Sequence, residues 1–134
     1  MRHAVITGGA SGIGLAIARQ LYRHKHPLTL IGRNIARLEE AKAEMPNAII
    51  KVCDICDDDQ VKAVFAEIPP VSILINNAGA VETGKFQDFK KTDWQSALDI
   101  NLLGAVSCIQ TCLEDIKSHP KGRIINIAST AALK

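Results

Sequence analysis

Five short apolar runs recur along the chain: His3 to Thr7, Leu28 to Ile31, Ala48 to Cys53, Ser72 to Ile75 and Arg123 to Ala128. They are rich in Ile, Val and Leu and lack polar alternation, which is how strands covered on both faces read. Between them the apolar positions change to a helical period. Ile13, Ile17 and Leu21 follow one face of a first helix, and Ile35, Leu38 and Met45 mark a second. Val61, Val64, Phe65 and Ile68 mark a third. A fourth, longer helix is predicted from about Thr92 to Lys117, with Leu98, Leu102, Ala105, Ile109, Leu113 and Ile116 on its buried side. Thr92, just before Asp93, is its expected N-cap, and Asp57 to Asp59 place negative charge on the first turn of the third helix. Pro69 and Pro70 break the chain before the fourth strand.

Strand and helix alternating with crossovers of this length predict an α/β fold: a doubly wound parallel sheet with right-handed connections. No repeat, low-complexity tract or linker interrupts it, so residues 1–134 are expected to be one domain.

Composition narrows the function classes. The chain is 47% apolar, 22% charged and 4% aromatic, as globular domains are. The net charge is only +2 and no block of like charge concentrates it, which argues against nucleic acid or a membrane surface as partner. The apolar run behind Met1 is too short for a signal peptide. The uncharged stretches Ala4 to Ala18 and Ile100 to Leu113 fall short of a membrane span. A cytoplasmic location is expected.

Cys53-x-x-Cys56 and Cys108-x-x-x-Cys112 can be drawn as a four-thiolate zinc site. The reading adopted is that they are free and packed as small hydrophobes, with no metal bound. His24 and His26, at a helix end, are read as capping or solvated groups.

The first strand runs into Thr7-Gly8-Gly9-Ala10-Ser11-Gly12-Ile13-Gly14 and then into a helix. Strand, glycine loop and helix form the context of a dinucleotide fingerprint: tight turn, bare backbone, close helix packing, and a helix N-terminus facing phosphates. The spacing Gly8-x-x-x-Gly12-x-Gly14, opening on Thr7, resembles that of the short-chain dehydrogenase/reductase family. Further stretches match in order: Asn76-Asn77-Ala78-Gly79 after the fourth strand, Asn101 in the long helix, and Ser129 after the fifth strand.

The resemblance implies a Rossmann-type fold, a nicotinamide cofactor, and hydride transfer to or from a carbonyl or alcohol carbon. Cofactor contacts are implied for Thr7, Gly8, Ala10, Ser11, Gly12, Ile13, Gly14, Asp54, Ile55, Asn76, Ala78 and Gly79, with Asp54 holding the adenine amino group. Catalytic roles are implied for Ser129, polarising the substrate oxygen, and Asn101, holding a water in a proton relay. It further implies a homo-oligomer, dimer or tetramer, built through the long fourth helix.

After the second strand, where an NAD site carries an acidic residue, the chain has Gly32 and then Arg33. A guanidinium pairs with a 2′-phosphate, so NADP(H) is expected over NAD(H), with Arg37 one helical turn on as a second cation. The family's proton donor is a tyrosine in a Tyr-x-x-x-Lys pair after the serine. The one tyrosine here, Tyr22, lies in the first helix. Two readings stand: the amino-terminal portion of such a reductase, inactive by itself and prone to associate along its fifth strand, or a nucleotide-binding module without catalysis. The substrate is expected to be a small-molecule carbonyl or alcohol, lipid-like or aliphatic. Only the loop from Ala80 to Lys91, with Phe86 and Phe89, is placed to touch it.

Overall fold

β1 (Ala4–Thr7) is wholly buried, and each neighbouring strand lies parallel to it. In the computed structural model, which describes residues 2–81 and 83–133, β2 is Leu28–Gly32, β3 Ile49–Val52, β4 Ile73–Asn76 and β5 Arg123–Asn126. The strand order is β3-β2-β1-β4-β5, parallel throughout. The helices are α1 (Gly12–Arg23), α2 (Ile35–Glu44), α3 (Asp58–Ala66), α4 (Lys91–Leu98) and α5 (Gly104–Ser118).

The sheet is filled from both sides because alternate strand residues face opposite ways. Ala4, Ile6, Leu28, Leu30, Ile73 and Ile75 join Ala18 of α1 and Leu38 of α2 in one cluster. Val5, Ile31 and Leu74 join Val61 and Val64 of α3 and Cys108, Cys112 and Ile116 of α5 in the other. Each fully buried Leu or Ile contributes about 1.5–3 kcal/mol. All five predicted strands are present within a residue or two of the expected limits. His3 stands just before β1, its ring Nε2 2.8 Å from the Thr29 hydroxyl.

On the first two helices the buried faces differ from expectation. On α1 the buried positions are Gly14 and Ala18, while Ile13 is exposed beside the glycine loop. On α2, Ile35 is exposed, and Leu38, Ala41 and Met45 carry the packing. The α3 expectation holds: Val61 and Val64 are buried, and the Asp57 carboxylate caps the helix by accepting Asp59 and Gln60 N–H groups.

The long fourth helix is not regular. α4 and α5 are joined by a π-helical turn, Asp99–Leu103, in which Gly104 N–H bonds the Asp99 carbonyl. One extra residue in a turn rotates everything beyond it by about 100°. The buried line of α5 is therefore Gly104, Cys108, Cys112 and Ile116, and Leu98 and Leu102, expected inside, are exposed. Gly104 lets the turn pack closely there, since a Cβ would stand 2.7 Å from the Ile55 side chain, which would have to shift. Thr92 lies inside α4 and does not cap it; Asp93 reaches back to accept the Lys90 N–H at 2.8 Å.

The run Lys91–Ser118, which includes charged residues, is by length and composition long and apolar enough to cross a membrane. Part of its apolar surface, Cys108, Cys112 and Ile116, packs into the core where α5 lies against α3, β4 and β5, while Leu98, Leu102, Leu103 and Val106 are exposed.

Candidate nucleotide-binding site

Strand order reverses between β1 and β4, and the chain beyond their carboxyl ends opens into a cleft of about 540 Å³. Open parallel sheets bind ligands at this switch point. The sequence builds it from glycine geometry. Gly8 and Gly12 have φ of +62° and +53°, the left-handed region that costs other residues about 1–2 kcal/mol. Around Gly12 a Cβ would meet nothing, so its backbone faces open space; at Gly14 a Cβ would collide with the Gly8 carbonyl and the Asn77 amide. Gly8, Ala10, Ser11, Gly12 and Ile13 line the cleft, whereas Gly14 sits behind it as the contact that lets α1 dock.

Ser11 is the extended N-cap of α1, and its side chain makes no cap hydrogen bond. The first-turn N–H groups of a helix have no intrahelical partner, so this end offers donors and partial positive charge to an anion.

Thr7 and Asn77 tie the two halves together. Thr7 is buried and does not face the cleft; its hydroxyl accepts the N–H groups of Asn77 and Ala78, both at 3.0 Å. The Asn77 side chain donates to the Gly8 carbonyl at 3.1 Å. Asn77, Ala78 and Gly79 line the cleft. Asn76, the expected contact, does not: it is the last buried residue of β4, and its amide donates to Asn126 Oδ1 at 2.9 Å. The end of the strand was the signal, since the first residue past it is the one free to turn toward a ligand.

Arg33 and Arg37 line one end of the cleft, both exposed, with no ion-pair partner among the described residues. Asn34 sets their spacing by capping α2 with a hydrogen bond from Arg37 N–H. Ile55 and Cys53 contribute apolar wall. Asp54, between them in sequence and an expected contact, does not line the cleft; one carboxylate oxygen accepts the Cys56 N–H at 3.0 Å.

Asn101 occupies the π-helical turn, an irregularity often found at functional sites. Its Oδ1 accepts the Ala80 N–H at 3.2 Å, and its Nδ2 donates to the carbonyls of Ala80 and Ala97 at 2.9 and 3.0 Å. Both amide protons are therefore committed to backbone. Gly79 permits the approach: a Cβ there would stand 2.7 Å from Asn101 Oδ1. Ser129 is exposed in the loop after β5, three residues past the strand, its hydroxyl accepting the Ala131 N–H at 3.1 Å.

Cys53, Cys108 and Cys112 are buried free thiols and Cys56 is exposed. Burial pushes Cys53 up to about 11 and Cys108 and Cys112 to about 12, so they stay protonated. Among the described residues no group of three or more His, Cys, Asp or Glu gathers. His24 caps α1, ring Nδ1 2.9 Å from the Gln20 carbonyl, and His26 Nδ1 lies 3.3 Å from the Arg2 carbonyl.

The family model for short chain dehydrogenases matches residues 2–134. The chain belongs to the short-chain dehydrogenase family. Within it, an uncharacterised oxidoreductase of Staphylococcus epidermidis is 34% identical over 98% of this chain and 59% of its own length. A 3-dehydrosphinganine reductase of Danio rerio is 32% identical over 96% of this chain and 43% of its own length. Among solved structures, the closed form of a serine dehydrogenase complexed with NADP+ superposes with a TM-score of 0.91 at 30% identity, covering 98% of this chain and 56% of that one. The chain thus spans about half the length of the relatives it matches.

Proposed function

We propose that residues 1–134 form the nucleotide-binding domain of an NADP(H)-dependent short-chain oxidoreductase acting on a carbonyl or alcohol. The observation that carries this is the cleft itself: an uncapped helix N-terminus behind two left-handed glycines, with two arginines at one end that have no ion pair among the described residues. The NADP+ bound by the similar serine dehydrogenase supports it.

The glycine loop and the first turn of α1 hold the pyrophosphate, and Arg33 with Arg37 pairs with the 2′-phosphate. Asp54 takes the adenine amino group, and Ala78 and Gly79 give close backbone approach beside Ile55. When bound, the nicotinamide supplies or accepts the hydride. Ser129 hydrogen-bonds the reacting oxygen, and Asn101 holds the segment after Gly79 in place beside it. Tyr22, packed with the α1–α2 cluster, has no part in the reaction. The partners are a small-molecule substrate and further copies of the chain through the exposed Leu98, Leu102 and Leu103, with no nucleic acid; the location is cytoplasmic.

Titration with NADPH and NADH, followed by nucleotide fluorescence, tests the cofactor assignment. NADPH is expected to bind at least about tenfold more tightly, a difference of about 1.4 kcal/mol, and Arg33→Asp to reverse the order. Equal affinities in the unmodified protein would overturn the preference. In the whole protein, Ser129→Ala should leave nucleotide affinity intact while lowering turnover about 10²–10³-fold, whereas Asp54→Ala should weaken nucleotide binding and spare turnover at saturation.

A further inference from the structure

A second cavity, of about 210 Å³, lies beside the nucleotide cleft and shares Ile100 with it as a common wall. Ala80, Phe89, Trp94 and Ala97 complete its apolar lining. The geometry points to this cavity as the site for an uncharged hydrocarbon arm of the substrate. The inference rests on the oxidoreductase reading above and adds the chemistry of the substrate to it.

Three observations converge. The first is position: Ala80 follows Gly79 of the nucleotide cleft and is held on both its N–H and carbonyl by Asn101, the neighbour of Ile100. The cavity thus adjoins the nucleotide cleft through Ile100 and the Gly79–Ala80 segment. The second is aromatic packing. Trp94 packs edge-on against Phe86 and Phe89, with centroids 5.8 and 6.3 Å apart and interplanar angles of 66° and 64°. Such edge-to-face pairs favour this arrangement of the aromatic wall.

The third is polarity. The two polar side chains in the lining are turned to backbone: Ser96 Oγ donates to the Thr92 carbonyl at 2.9 Å, and Asp93 Oδ2 accepts the Lys90 N–H at 2.8 Å. The Asp93 carboxylate in the lining also disfavours an anionic occupant. Sites that enclose a whole drug-sized ligand measure roughly 300–1,000 Å³, so this smaller one takes one apolar arm while the reacting carbon lies outside it.

Trp94 is the only tryptophan in the sequence and lines the cavity, so its emission reports occupancy without any need for turnover. The test titrates the NADPH-loaded protein with straight-chain methyl ketones of increasing length, from acetone to methyl octyl ketone. Affinity is expected to rise about fourfold per methylene until the cavity is filled. Ala97→Leu, a well-tolerated change on an exposed helical position, is expected to abolish the response to the long ketones while leaving NADPH affinity unchanged. Trp94 emission indifferent to chain length would overturn the inference, as would long-ketone binding undiminished in Ala97→Leu. Chain-length-dependent binding without any NADPH binding would leave the apolar site standing and sink the nucleotide reading instead.

Discussion

The Thr7 hydroxyl accepts the backbone N–H of Asn77 at 3.0 Å, tying the end of the first strand to the turn after the fourth. The same oxygen accepts Ala78 N–H, and Thr7 is almost fully buried. Thr7→Val keeps the shape but strips both donors of their acceptor, and an unsatisfied buried donor costs about 1–3 kcal/mol. The variant should unfold at lower denaturant and bind NADPH more weakly, because the turn it releases lines the cleft. Thr7→Ser should restore most of both. Wild-type denaturation and affinity in Thr7→Val would show that the hydroxyl holds nothing.

Gly14 and Gly12 should respond differently to the same methyl group. Gly14→Ala drives a Cβ into the Gly8 carbonyl and the Asn77 amide, where backbone must move, so a loss of about 1–3 kcal/mol or more is expected together with nucleotide binding. Gly12→Ala meets no atom; it bears only left-handed strain of about 1–2 kcal/mol and places a methyl in the cleft. Its signature is reduced NADPH affinity in a protein that still folds. Thermal melts with and without NADPH separate the two.

His3 makes stability depend on pH. Burial lowers its pKa from the ordinary 6.5, so the folded protein holds it neutral beside Thr29. Because the unfolded chain takes up the proton first, this contribution is complete above about pH 6.5 and is lost as pH falls through the folded-state pKa, at up to about 1.4 kcal/mol per pH unit. Glu44 and Glu67, held below 4.5 by Arg19 and Lys51, lose their contribution only at lower pH. Urea midpoints measured between pH 8 and 5 should fall in the native protein and stay nearly flat in His3→Gln. A flat native profile would refute the role of His3.

Thiol labelling should distinguish the cysteines. Cys56 is exposed, although desolvation and Asp54 raise its pKa, whereas Cys53, Cys108 and Cys112 are buried with pKa values raised to about 11 to 12. A thiol reagent at pH 8 should add one label quickly and the remaining three only in denaturant, as read by intact mass. Rapid native labelling at several sites would contradict the packing of α5 on β4.

What the sequence by itself determined is local. The apolar runs of Ile, Val and Leu identify all five strands; β1, β2 and β4 are buried on both faces as that composition implies, whereas the edge strands β3 and β5 stay partly exposed, with Val52 and Ile125 open to solvent. The spacing of Gly8, Gly12 and Gly14 likewise locates the phosphate end, because left-handed φ and close packing are demands that glycine alone meets. The tertiary structure decided which neighbours those elements meet. The buried line of α5 moved from Leu98 and Leu102 to Gly104 and Cys108 because a π-helical turn, seated against Ile55 from a distant part of the chain, rotates the helix. Asn77 replaced Asn76 at the cleft because the pairing of Asn76 with Asn126 buries that side chain in the sheet. Asn101 binds Ala80 because Gly79 leaves room for it. Each of these rests on two residues far apart in sequence coming within about 3 Å, and no periodicity along the chain encodes such a meeting.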